Sequence, residues 1–248
     1  MPEIVKTEAV VLNKIDYGDS SKIVSLYTKD FGRISAIAKG ARSSKSKIGS
    51  IVDILNNIHI VLYKKDTREI QLITQADLIS HYSKIKNDLD KIKYASVVLE
   101  LVYSLTPEGE ENLKIFRGIV RILSLMDSSS EQPGILLLKF ILFFIKEIGF
   151  ELQIDNCINC KRELDPSETT YFNFEKGIFC EACSKDHLIS YKISPELFNL
   201  YLCLRNKQTK KVFVDKLIDN ALFFLDKYIK YHIPEFKGMN SIKLYFNK

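Results

Sequence analysis

The sequence predicts an α+β chain: a small N-terminal barrel, then a mostly helical part with an embedded four-cysteine metal ribbon. Three observations predict it. Apolar residues recur with a period of two as far as Leu78, the period becomes that of a helix after Lys84, and two Cys-x-x-Cys pairs interrupt the helical part.

Strands are expected over roughly Val5 to Asp16, Lys22 to Thr28, Arg33 to Lys39, Ile58 to Lys64 and Glu69 to Ile79. In EIQLITQADL, Ile70, Leu72 and Thr74 alternate with Gln71, Ile73 and Gln75, and HIVLY and RISAIA behave alike. Gly18-Asp19 and Phe31-Gly32 supply turn chemistry. Five short strands this close together suggest a small barrel. The segment SKIGSIVDILNN, Ser46 to Asn57, separates the third and fourth strands as a short helix or an irregular crossover.

Tyr94, Val97, Val98, Leu101, Val102 and Leu105 share one helical face, and Pro107 and Gly109 end that helix. A second helix is expected from Asn112 to Met126, and a third from Ile135 to about Ile148 with Gly149 as its stop. Ser194-Pro195-Glu196 offers an N-cap, a first-turn proline and a first-turn acid. Val214, Leu217, Ile218, Ala221, Leu222, Leu225, Tyr228 and Ile229 trace the apolar stripe of a last long helix, closed by Pro234. The expected domains are therefore a barrel at 1–80 and a helical domain at 81–248, with the ribbon at 155–185.

The 248 residues are 46% hydrophobic, enough for real cores, and the net charge is +5. Its distribution is uneven. Residues 1–80 hold 12 Lys and Arg against 9 acids, residues 81–184 hold 12 against 16, and residues 185–248 hold 12 against 6. Two basic ends flanking an acidic middle permit a polyanionic partner. The most apolar run, ILLLKFILFFIKEIGF, carries Lys139 and Lys146 and falls short of the roughly 20 residues that cross a bilayer. It reads as a buried helix. With no export signal at its start, the chain is expected in the cytoplasm, off the membrane.

Cys157 and Cys160, then Cys180 and Cys183 after 19 intervening residues, have the spacing of a two-knuckle zinc site. Each pair sets two thiolates on one tight turn, and the hairpin YFNFEKGIF, bending at Glu175-Lys176-Gly177, can bring the turns together. A closed four-cysteine site is structural, because catalytic zinc keeps a position for water. A disulfide staple and a thioredoxin-like redox pair are the weaker readings, since cysteines are sparse and no strand-to-helix start surrounds either pair. His187 reads as a surface histidine and Cys203 as a small core residue.

From Phe31 to Val52 the chain carries Arg33, Lys39, Arg42, Lys45 and Lys47 with no acid between Asp30 and Asp53. Cations clustered on a loop leaving a barrel strand suit a phosphate backbone, and Gly40 and the loop serines allow close approach. A merely solvated face is the alternative. Tyr17, Tyr27, Phe31 and Tyr63 could stack on bases, or belong to the core.

These segments resemble the bacterial RecO family of recombination mediators along nearly the whole chain. The resemblance is carried by EAVVLNKIDYGDSSKIVSLYTKDFGRISAIAKGARSSKSK, by LLLKFILFFIKEIGFELQIDNCINC, and by GIFCEAC. It implies an N-terminal OB-fold and a helical C-terminal domain with a zinc module. It also implies binding to single- and double-stranded DNA and annealing of complementary strands. With RecR as partner, it implies loading of RecA onto DNA coated by single-strand binding protein, in association with the nucleoid. Position by position, Lys39, Arg42, Lys45 and Lys47, with Arg33 beside them, match the family's basic segment. Cys157, Cys160, Cys180 and Cys183 match its zinc ligands. After KSK the family has an aromatic or Pro-containing segment where this chain has IGSIVDILNN.

No bond-making chemistry is expected: H-E-x-x-H, G-x-x-x-x-G-K-[ST] and G-x-S-x-G are absent, and the histidines at 59, 81, 187 and 232 are scattered. Two other classes compete with a mediator. One is an adaptor that offers an apolar helical groove to other repair proteins. The other is a zinc-ribbon protein that binds RNA. Lys207, Lys210 and Lys211 suggest either a second cationic face or a solvated helix surface.

Overall fold

The computed structural model describes residues 3–65, 67–206 and 212–242. Five strands, β1 (Glu3–Tyr17), β2 (Ser21–Thr28), β3 (Gly32–Ala38), β4 (Asn57–Lys64) and β5 (Ile70–Ser80), close into a barrel in the order β1-β2-β3-β5-β4. All pairings are antiparallel except β3 with β5, an OB-like topology. A helical turn, α1 (Ile48–Ile51), lies between β3 and β4. The following segment is fixed by Asn56, whose buried side-chain amide donates to the carbonyls of Ser50 (3.1 Å) and Ile51 (2.9 Å).

Alternation fills the barrel: Val24 and Leu26 of β2, Ala36 and Ala38 of β3, and Ile58, Ile60 and Leu62 of β4 point into one core. β1 departs from alternation. Ala9, Val10, Val11 and Leu12 are all buried, because its outer face is also covered. The cover is α3 (Leu89–Leu105), which packs on β1 and β2. Tyr27, opposite Val10, belongs to this second layer, where burial pushes its hydroxyl up to about 12.

A short turn, α2 (Ser83–Lys86), precedes α3, and α4 (Leu113–Ser128) follows it. Asp88 and Asn112 cap α3 and α4, each accepting two first-turn amides. Gly32 tightens the β2–β3 hairpin at φ +61°, and a Cβ there would meet the Glu110 carbonyl at 1.9 Å. The α3–α4 loop thus rests directly on the barrel. The switch from strands to helices comes between Ser80 and Ser83, but packing groups the chain differently. Among the described residues, one compact unit comprises those up to Pro133 together with those from Met239 onward; the other lies within Gly134–Gly238. The chain's return to the first unit is fixed by Glu100, which accepts from the amides of Asn240 and Ser241, both at 2.8 Å.

The second unit holds α5 (Pro133–Glu147), strands β6 (Thr170–Asn173) and β7 (Gly177–Phe179), the turn α6 (Glu181–Ser184), β8 (Tyr191–Ile193), α7 (Pro195–Arg205) and α8 (Asp215–His232). The expected hairpin is β6–β7, and β8 adds a third strand on the far side of β6. Phe172, Tyr201 and Phe224 form the aromatic centre, with Phe172 edge-on to Phe224 at 5.2 Å. Among the described residues, no helix is long and apolar enough to cross a membrane.

Candidate nucleic-acid interface and metal centre

The loop from Lys39 to Lys47 leaves the end of β3 and is held in place by its backbone. Ala41 is buried in the barrel core. The Arg42 amide donates to the Ser20 carbonyl (2.8 Å), and the amides of Ser43 and Ser46 close turns on Gly40 and Ser43. Gly49 packs so closely over Ala41 that a Cβ would lie 2.0 Å from its carbonyl oxygen. The loop therefore sits against the β1–β2 turn as a shaped surface.

The five sequence-predicted cations have different fates. Lys39, Lys45 and Lys47 are exposed and, among the described residues, their ammonium groups have no hydrogen-bond or ion-pair partner. Arg42 is exposed but tethered, its Nη1 donating to the Gly18 carbonyl (2.9 Å) and its Nε lying 3.4 Å from Asp16. Arg33 is set apart. Its side chain is 17% exposed, Nε donates to the Thr106 carbonyl (2.9 Å), Nη1 pairs with Glu108 (3.0 Å), and the guanidinium lies over the Tyr103 ring at 5.3 Å. These contacts commit its Nε and Nη1 and hold the α3–α4 loop on β3.

The structure adds cations that the basic run alone did not single out. Lys22 reaches from β2 to the Gly49 carbonyl (3.2 Å), on the same side as the loop. Lys65 and Arg68 lie on the β4–β5 turn, at the opposite end of β3. The meeting of Arg42 with Gly18 and Ser20 is legible only once β1, β2 and β3 are registered against each other. Of the four aromatics, Tyr17 is exposed beside the loop, Tyr27 is core, Phe31 lies under the Lys64 ammonium, and Tyr63 is half-buried. Lys207, Lys210 and Lys211 lie outside the described residues.

In the second unit, the four cysteines come together as their spacing predicts. Their sulfur atoms all lie within 4.8 Å of one another, and none is in a disulfide. The knuckle Cys157–Cys160 is a tight turn: Lys161 N–H donates to the Cys157 carbonyl (2.9 Å), with Lys161 in the left-handed region at φ 62°. The Ile158 amide ties this knuckle to Ile178 of β7 (2.8 Å), which leads directly to Cys180.

The Cys160–Cys180 sulfur separation, 3.9 Å, is close to the edge of about 3.8 Å that a tetrahedron of thiolates around zinc would have. Burial of Cys157 opposes ionisation, yet the amides of Cys160, Cys180 and Asn159 outweigh it and bring the thiol down to about 6. At Cys183, a hydrogen bond from Asn159 favours the thiolate, but the neighbouring thiols and burial prevail and raise it to about 11. Four sulfurs this close cannot all carry charge without a cation between them, and a divalent metal resolves that conflict. With all four positions taken by sulfur, such a site has no place for substrate.

Comparison with known proteins gives one result for both halves. Residues 1–82 match the sequence model described as Recombination protein O N terminal, and residues 86–239 match Recombination protein O C terminal. The chain is 30% identical to a DNA repair protein RecO of Chloroherpeton thalassium, over 98% of each chain. It is 28% identical to one of Alkaliphilus metalliredigens, over 97% of this chain and 98% of the relative. A third, from Clostridium perfringens, is 28% identical over 85% of this chain and 83% of its own length.

Proposed function

The chain belongs to the RecO family of recombination and DNA repair proteins, and from that premise we propose that it binds DNA strands through the Lys39–Lys47 loop and anneals complementary ones. One observation carries the reading: the ammonium groups of Lys39, Lys45 and Lys47 stand exposed and uncommitted on a loop whose backbone is anchored at Arg42, Ser43 and Ser46. A fixed loop with uncommitted ammonium groups binds phosphates with little ordering cost.

Annealing then needs no bond-making residue. The cationic loop screens the repulsion between two phosphate backbones, and base pairing selects the partner strand. The chain thus acts as a mediator and not as an enzyme. Following the resemblance, RecR is its partner in loading RecA onto DNA coated by single-strand binding protein.

Zinc is the metal proposed for Cys157, Cys160, Cys180 and Cys183, since a soft four-thiolate tetrahedral set suits it. Its role there is to lock the two knuckles and keep the β6–β7–β8 sheet in register.

The reading is tested by annealing complementary oligonucleotides coated with their cognate single-strand binding protein, with and without RecR. Wild-type protein accelerates annealing, and the triple variant K39E/K45E/K47E does not. Equal rates for both would remove the loop from the mechanism.

A further inference from the structure

Away from the barrel loop and the cysteine cluster, one surface interleaves aromatic rings with positive charge. On α8, Lys216, Asn220, Phe223, Lys227 and Tyr231 are all exposed, and their three- and four-residue spacing sets them on one side of the helix. The other side, including Ile218, Leu222, Phe224 and Leu225, is buried. Phe223 and Tyr231 keep 52% and 48% of their surface in solvent. They are also braced: Phe174 stacks on Tyr231 at 5.8 Å with 30° between the rings, and Tyr191 lies 6.5 Å from Phe223.

Cations accompany the rings. Lys227 Nζ sits 4.5 Å from the centre of Phe223, and on the adjoining strand β8 Lys192 lies over Tyr171 at 5.9 Å. Of the acids of α8, Asp219 borders the line one turn before Phe223, Asp215 and Asp226 lie further round the helix, and Asp226 is bonded by Lys230 at 2.5 Å. Braced, solvent-facing rings with ammonium groups beside them match the demands of a single strand, whose bases stack while its phosphates meet the cations.

We infer that this stripe of α8 is a base-stacking site for single-stranded nucleic acid. Phe223 and Tyr231 are separated by about 12 Å along the helix axis, so they take different bases. An exposed cation–π contact is weaker than the stacking of a base, so Lys227 leaves the Phe223 ring and moves to a phosphate when the strand arrives. An acidic peptide would also be drawn to the lysines, but peptide docking uses a groove for side chains, and these rings stand on the convex side of a helix. The inference rests on the reading that the chain binds single strands, and adds to it a contact that senses bases instead of phosphates.

The chain has no tryptophan, so Phe223→Trp places a single fluorescent reporter on the stripe. The full-length variant is titrated with a single-stranded oligonucleotide and with an abasic sugar-phosphate strand of equal length. The base-bearing strand quenches the tryptophan and the abasic strand does not. The variant F223A/Y231A, at an unchanged melting temperature, loses roughly five-fold or more in affinity for the base-bearing strand and nothing for the abasic one. Quenching by neither strand, equal quenching by both, or unchanged affinity of F223A/Y231A for bases overturns the site. Stronger quenching by an acidic peptide than by DNA also overturns it and gives the face to a protein partner. If wild-type protein binds strands but position 223 is silent, only this site falls; if it binds neither strand, the DNA-binding reading falls as well.

Discussion

Arg33 and Glu108 form an ion pair at 3.0 Å across 75 residues of sequence, joining β3 to the α3–α4 loop. The first cation of the basic run is thereby a strut between two elements of the first unit. Arg33→Ala is expected to lower stability by about 1–2 kcal/mol, through the lost hydrogen bond to Thr106 and the lost packing on Tyr103. It should leave the salt dependence of DNA binding unchanged. Denaturant unfolding and fluorescence anisotropy measure the two effects, and a flattened salt slope at full stability would make Arg33 a phosphate contact after all.

Gly49 links fold to loop. A methyl group there would sit 2.0 Å from the Ala41 carbonyl, so Gly49→Ala must push α1 away from the loop. A cost of about 1–3 kcal/mol is expected, together with weaker strand binding, although no charge is changed. Normal affinity in a destabilised variant would show that the loop's shape is irrelevant.

Removal of the metal should melt the ribbon first. Chelation is expected to release one zinc per chain and lower the melting temperature by at least about 5 °C. Amide protection should vanish in β6 and β7 while β2 and β4 stay protected. Cys180→Ser should do the same without chelator. Release of zinc with no change in melting or exchange would remove the structural role.

His232 packs among Phe150, Tyr228 and Tyr231, and burial lowers its pKa. The unfolded chain therefore takes up the proton more readily. As the pH falls below about 6.5, stability declines, and above that value the residue contributes no pH dependence. His232→Phe should flatten the stability profile between about pH 7 and 5. An unchanged profile would place the acid sensitivity elsewhere.

The five strands and the long helices were legible because each buries one regular face: alternation in Val24 and Leu26, helical spacing in Val97, Val98, Leu101 and Val102. Ala9 to Leu12 broke the pattern, since burial on both faces of β1 depends on α3, far along the chain. Strand β8 is three residues long and carries too little pattern to be read. The segment after Ser46 was undecidable because a single buried side chain, Asn56, organises it. At the candidate sites, local spacing brought the four cysteines together correctly. The basic run revealed its charge but not its partners: nothing near Arg33 announces Glu108, and nothing near Arg42 announces Gly18 as its acceptor.

The most direct test of the loop as the strand-binding element is the salt dependence of single-strand affinity in wild-type protein and in K39E/K45E/K47E. Each phosphate contact contributes a log-log slope of roughly −0.7 on single strands, so the variant should bind more weakly with a slope flatter by about 2. Equal affinity and equal slope in the two proteins would contradict it.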